Sequence, residues 1–148
     1  MKFKIVTDSS SDLHKFEGAP FAVAPLKIIT SDKEYVDNES LNVYEMGQDL
    51  SVYKGKSSTS CPNHEDWLKA FGDADRIFCV TITATLSGAY NAACIAAKMY
   101  EEKYPERKVF VLNSLSTGPE MKLIIEKISE LIKSGTEFEE ICNQIKEY

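Results

Sequence analysis

The sequence predicts a three-layer α/β/α sandwich on a mostly parallel sheet, with a small β-hairpin beside it. Three observations carry that expectation. Residues 76–82 and 108–112 are nearly continuous in apolar and β-branched side chains, the pattern of strands buried on both faces. The segments that follow them carry apolar residues at helical spacing. Strand-like and helix-like segments also alternate along the chain, which favours crossover connections and parallel pairing.

The elements follow in order. Phe3-Lys4-Ile5-Val6-Thr7 reads as a first strand, stopped by the polar run from Asp8 to Asp12. Leu26-Lys27-Ile28-Ile29 and Glu34-Tyr35-Val36 flank a polar turn, which predicts a hairpin over 25–36. Tyr44, Met46, Leu50 and Val52 lie near helical spacing in 43–53, with Asn42 as N-cap. Residues 54–62, rich in Ser, Lys and Gly, are expected to form a loop. Asn63, with Asp66 three positions on, caps a short helix through Trp67, Leu68, Ala70 and Phe71. After the strand at 76–82, a helix over 86–104 is expected, with Leu86, Tyr90, Ala93 and Ala97 on one face. Met121, Ile124, Ile125, Ile128, Leu131 and Ile132 predict a strongly amphipathic helix, ended by Ser134-Gly135. Thr136 and Glu139 then suggest a capping box for a last helix that turns Phe138, Ile141, Cys142 and Ile145 inward.

Size and charge narrow the function. The 148 residues suit one α/β domain, without an internal repeat or linker. A net charge of -6 and the absence of a basic run argue against nucleic-acid binding. The apolar start, Met1 to Val6, is too short for a signal-peptide core or a membrane span, so a cytoplasmic location is expected. Cys61, Cys79, Cys94 and Cys142 form no closely spaced pair, and neither a zinc site nor any cofactor is expected.

In open parallel sheets ligands bind beyond the carboxyl ends of the strands. Four hydroxyl-rich segments stand where such a site would form. They are Thr7-Asp8-Ser9-Ser10-Ser11-Asp12, Ser57-Ser58-Thr59-Ser60-Cys61-Pro62-Asn63, Thr83-Ala84-Thr85-Leu86-Ser87-Gly88 and Asn113-Ser114-Leu115-Ser116-Thr117-Gly118. Each alone reads as ordinary helix capping. Together, hydroxyls and helix-start N–H groups make a neutral donor set suited to a carboxylate or phosphate. Catalytic patterns are missing: there is no GxxxxGK[ST] loop, no GxGxxG and no GxSxG elbow. Asp8 follows a strand as a phosphatase nucleophile would. Position 10 is Ser10, however, where haloacid-dehalogenase enzymes carry a second Asp for magnesium. A small phosphatase or hydrolase using Asp8 and a non-catalytic scaffold stay open as alternatives.

The same segments carry a resemblance. Val6-Thr7-Asp8-Ser9-Ser10-Ser11-Asp12-Leu13 is similar to the opening strand and loop of DegV proteins. Thr59-Ser60-Cys61-Pro62 resembles their TSQPSP loop, Leu86-Ser87-Gly88-Ala89-Tyr90-Asn91-Ala92-Ala93 their LSGTYQSA segment, and Val111-Leu112-Asn113-Ser114 their V-x-D-S strand end. The resemblance implies a lipid-binding protein rather than an enzyme. A long-chain fatty acid would be held by its carboxylate, and a bacterial fatty-acid kinase would be the partner. It nominates Thr59, Ser60, Ser87 and the Gly88 N–H for the head group, with Asp8, Ser9 and Ser114 at the rim. Cys61, Asn63, His64, Ala89 and Asn113 depart from the family pattern, where Gln, Ser, Pro, Thr and Asp are usual. Family members run to nearly twice this length, so residues 1–148 are expected to be a single N-terminal lobe without its second lobe. The face so exposed suggests a homodimer.

Overall fold

The structure, a computed structural model, describes all of residues 1–148. Four strands form a parallel sheet in the order β2-β1-β6-β7: β1 (Phe3–Asp8), β2 (Phe21–Ala24), β6 (Arg76–Thr81) and β7 (Lys108–Asn113). A second, antiparallel sheet has the order β4-β3-β5, from β3 (Lys27–Ile29), β4 (Glu34–Val36) and β5 (Ser58–Ser60). Five helices complete the chain: α1 (Val43–Val52), α2 (His64–Phe71), α3 (Ala89–Lys103), α4 (Gly118–Lys133) and α5 (Phe138–Glu147).

The period of two along β1 and β6 divides the core into two layers. Ile5 pairs with Phe78, and both join Met121, Ile125 and Ile128 of α4 and Phe138, Ile141 and Ile145 of α5. Val6 pairs with Cys79, and both face Trp67 and Phe71 of α2 and the Ala89, Ala93, Ala96 and Tyr100 stripe of α3. The three-layer α/β/α sandwich is therefore present. Alanine leaves α3 no bulk on its sheet-facing side, so the helix lies close, and Tyr100 closes its far end with a hydroxyl bond to the Ala74 carbonyl at 2.7 Å. On the other face the Phe78 and Phe138 rings meet at 4.9 Å. Burying each such large side chain contributes about 1.5–3 kcal/mol.

Four local expectations change. The Phe21–Ala24 strand was not anticipated; Pro20 and Pro25 bracket it, and as an edge strand it tolerates such neighbours. Residues 58–60, expected as loop, pair with β3 in the register Ile28↔Thr59, so the hairpin becomes a three-stranded sheet. Helix α3 begins at Ala89 rather than at Leu86, because the Ser87 hydroxyl accepts the Ala89 N–H at 3.2 Å. Leu86 consequently lies outside the helix, 72% exposed. The capping box at Thr136 does not form: Glu137 takes the N-cap position, and the Thr136 hydroxyl bonds Ser134 instead. Asn63 and Asp66, by contrast, make the full reciprocal box at α2. No helix is long and apolar enough to cross a membrane.

Candidate functional site

Beyond the carboxyl end of β6, the small sheet and the start of α1 enclose a cavity of about 610 Å³. Its volume lies within the range of small-molecule sites. Apolar wall comes from Leu26 and Ile28 beside β3, Leu41, Val43 and Met46 at α1, and Ile82 and Leu86 after β6. Thr59, Cys61, Ser87 and Gly88 form one polar end of the lining, and Lys27, Tyr35 and Asp37 are its other polar residues. Three nominated ligand residues thus meet in one cavity: Thr59 from β5 and Ser87 with Gly88 from the turn before α3.

The polar end is built by local rules. Ile28 and Thr59 are directly paired across the antiparallel sheet and so share a face, one apolar and one hydroxyl-bearing. Gly88 is the N-cap of α3, and its N–H has no acceptor within the protein. Apart from the Ala89 N–H that Ser87 holds, the N–H groups at the head of this 15-residue helix are free, and such groups favour an anion through both hydrogen bonding and the helix dipole. A Cβ added at Gly88 would meet the Cys61 sulfur at 3.5 Å, ordinary contact, so Cys61 flanks Gly88 with room for no more than a methyl between them. No group of three or more His, Cys, Asp or Glu side chains is placed to hold a metal ion.

The other nominated residues lie elsewhere. Asp8 is fully buried, and its carboxylate accepts the Ile82 N–H at 2.8 Å, the Ser10 N–H at 3.0 Å and the Ser10 hydroxyl. Burial raises its pKa above the ordinary carboxylate value, with the Ser10 and Ile82 bonds opposing the shift. Asp8 therefore ties the ends of β1 and β6 together and does not line the cavity. Ser9 is buried too, and its hydroxyl accepts the Leu26 N–H at 2.9 Å, anchoring one wall residue. The Ser60 hydroxyl turns to the Cys61 carbonyl, as the alternation next to Thr59 requires. Ser114 lines a separate cavity of about 430 Å³ near α4 and α5, where its hydroxyl bonds the Ser116 backbone.

A family model described as "Uncharacterised protein, DegV family" matches residues 2–148. The chain belongs to the DegV family. Among curated relatives, a DegV domain-containing protein of Streptococcus gordonii is 39% identical over 152 residues, covering 100% of this chain and 54% of the relative. A DegV structure from Eubacterium eligens, loaded with heptadecanoic acid, superposes with a TM-score of 0.96 at 43% identity. That match covers 99% of this chain and 53% of the other. The fatty acid kinase B3 protein of Streptococcus pneumoniae, loaded with linoleic acid, also superposes at 0.96, with 38% identity and coverage of 100% and 54%. The chain spans about half the length of the DegV relatives it matches.

The apolar wall of this cavity is not legible in the sequence. Leu26, Ile28 and Met46 sit in short elements whose apolar residues read as core, and Leu86 was placed on a helix face. Cys61 was seen only as a departure from the usual loop, although it stands against Gly88 inside the cavity.

Proposed function

We propose that this chain forms one lobe of a fatty-acid-binding protein and holds a long-chain fatty acid by its carboxylate. Thr59, Ser87 and the Gly88 N–H are the proposed head-group donors. The observation that carries the proposal is their convergence at the start of α3, in a cavity whose remaining wall is mainly aliphatic, with Lys27, Tyr35 and Asp37 as its other polar lining. Charge-assisted hydrogen bonds of this kind contribute about 1.5–3 kcal/mol each, and each buried methylene of the acyl chain about 0.8 kcal/mol. The fatty acids carried by the Eubacterium eligens and Streptococcus pneumoniae relatives support the same ligand class.

In this proposal the chain performs no chemistry itself and presents the carboxylate to a fatty-acid kinase, as suits a relative of the kinase B3 protein. Asp8 gives the hydrolase alternative little support, because protein donors engage both carboxylate oxygens. Ser9 and Asp8 act behind the site, holding Leu26 and Ile82, and Ser60 and Ser114 fall outside the proposed ligand set. Exposed Leu86 and Leu115 would be covered in a homodimer of the 148-residue chain, which sedimentation would register as a doubled mass.

The test is lipid extraction from protein expressed from its full gene, followed by mass spectrometry. Wild type should release near-stoichiometric long-chain fatty acid. Ser87→Ala should weaken retention roughly tenfold or more, with circular dichroism confirming an intact fold. Equal retention in both proteins would remove Ser87 from the site, and an empty wild-type extract would remove the ligand class.

A further inference from the structure

A second, smaller cavity of about 250 Å³ lies behind the first, between the β3-β4 hairpin and the C-terminal half of α1. Leu50, Val52 and Tyr53 give it an apolar wall, and Thr30, Asp32, Lys33 and Asp49 line its polar side. Tyr35 is the one residue that lines both cavities. Its place follows from register. Tyr35 pairs with Ile28, and Ile28 pairs with Thr59, so the three side chains form one row on a single face of the small sheet. Two strand spacings separate the row's ends, about 10 Å. A substituent of an anion held at Thr59 that lies across Ile28 meets the Tyr35 ring.

Tyr35 is also held in place. Its hydroxyl donates to Asp49 at 2.8 Å, and the same carboxylate oxygen receives Lys33 at 2.9 Å. Burial, followed by the neighbouring Asp49, raises the Tyr35 pKa, which keeps the phenol a neutral donor. The helix that carries Asp49 has no buried residue, so this latch and the Tyr53–Ser31 hydroxyl bond at 2.9 Å are its polar ties to the hairpin.

We infer that Tyr35 is the chain-length gate of the site: its ring, latched by Asp49, is the partition between the two cavities and sets how long an acyl chain is accepted. The inference rests on the fatty-acid proposal above and deepens it. With the ring in place a long chain that reaches Tyr35 must fold back within the larger cavity; with the ring removed the smaller cavity joins the larger and the chain can run on. Each further methylene then buried is worth about fourfold in affinity.

The experiment incubates delipidated protein, expressed from its full gene, with an equimolar mixture of myristate, palmitate, stearate and arachidate, and reads the bound species by mass spectrometry. Tyr35→Ala should raise the stearate-to-palmitate ratio roughly tenfold. Tyr35→Trp should shift the profile toward myristate, and Tyr35→Phe, which keeps the ring, should stay close to wild type. Opposite shifts from the small and large substitutions are a result that simple destabilisation does not produce. Tyr35→Ala and Tyr35→Trp profiles that both match wild type would overturn the gate while leaving the fatty-acid proposal standing. A wild-type protein that takes up none of the four acids would overturn both.

Discussion

Every β6 residue from Ile77 to Thr81 is fully buried, whereas the three strands of the small sheet and the whole of α1 contain no buried residue. The parallel sheet is clamped between two hydrophobic layers, one with α2 and α3, the other with α4 and α5. The small sheet and α1 are joined chiefly by polar ties at their surface, Tyr35 and Lys33 to Asp49 and Tyr53 to Ser31. The proposed ligand cavity lies on the seam, with Ile82, Ser87 and Gly88 from the rigid side and Leu26, Ile28, Met46 and Thr59 from the other. The difference teaches a division of labour. In the proposed site one region supplies Ser87 and the Gly88 N–H in a fixed frame, and the other supplies Thr59 and an apolar wall whose few buried contacts leave it free to adapt.

Substitutions should separate the two regions by size of effect. Phe78→Ala removes a fully buried ring that packs on Phe138 and should cost about 3–5 kcal/mol in denaturant unfolding. Val52→Ala, on the exposed side of α1, should change stability by no more than about 0.5 kcal/mol. A comparable loss at both positions would break the distinction.

Asp8→Asn probes the carboxyl end of the parallel sheet, where β1 and β6 are tied together. It leaves donors that now converge on the carboxylate imperfectly paired, at about 1–3 kcal/mol. The pH dependence has a definite sign. Because burial raises its folded-state pKa, Asp8 in the folded protein binds a proton that the unfolded chain has already released. Wild-type stability should therefore fall as pH rises from the ordinary carboxylate range through the raised value. The Asn variant lacks this contribution, so the gap between the proteins should narrow over that window. A gap that widens would contradict the assignment of the shift to burial.

The same division explains which parts were legible in the sequence. Strands β1 and β6 and helices α2, α4 and α5 announce themselves because burial forces a strong apolar pattern on them, and β7, half-buried, keeps an apolar run from Val109 to Leu112. Strand β5 did not: Ser58-Thr59-Ser60 has the composition of a loop, and its strand character comes from pairing with β3. The proposed head-group donors Ser87 and Gly88 are legible because capping chemistry is local. Tyr35 was not, since its role depends on a register that aligns it with Thr59 across a third strand. Asp8 and Ser9 stand close to the site in sequence terms, yet backbone N–H groups of Ile82 and Leu26 engage them from segments far along the chain.

Amide hydrogen exchange of the delipidated protein, with and without palmitate, tests the seam most directly. Ligand should slow exchange in α1, in the small sheet and at the start of α3, while the interiors of β1 and β6 keep the protection they already have. Unchanged exchange in α1 and the small sheet, or a ligand effect centred on α4 and α5 instead, would contradict a binding site on the seam.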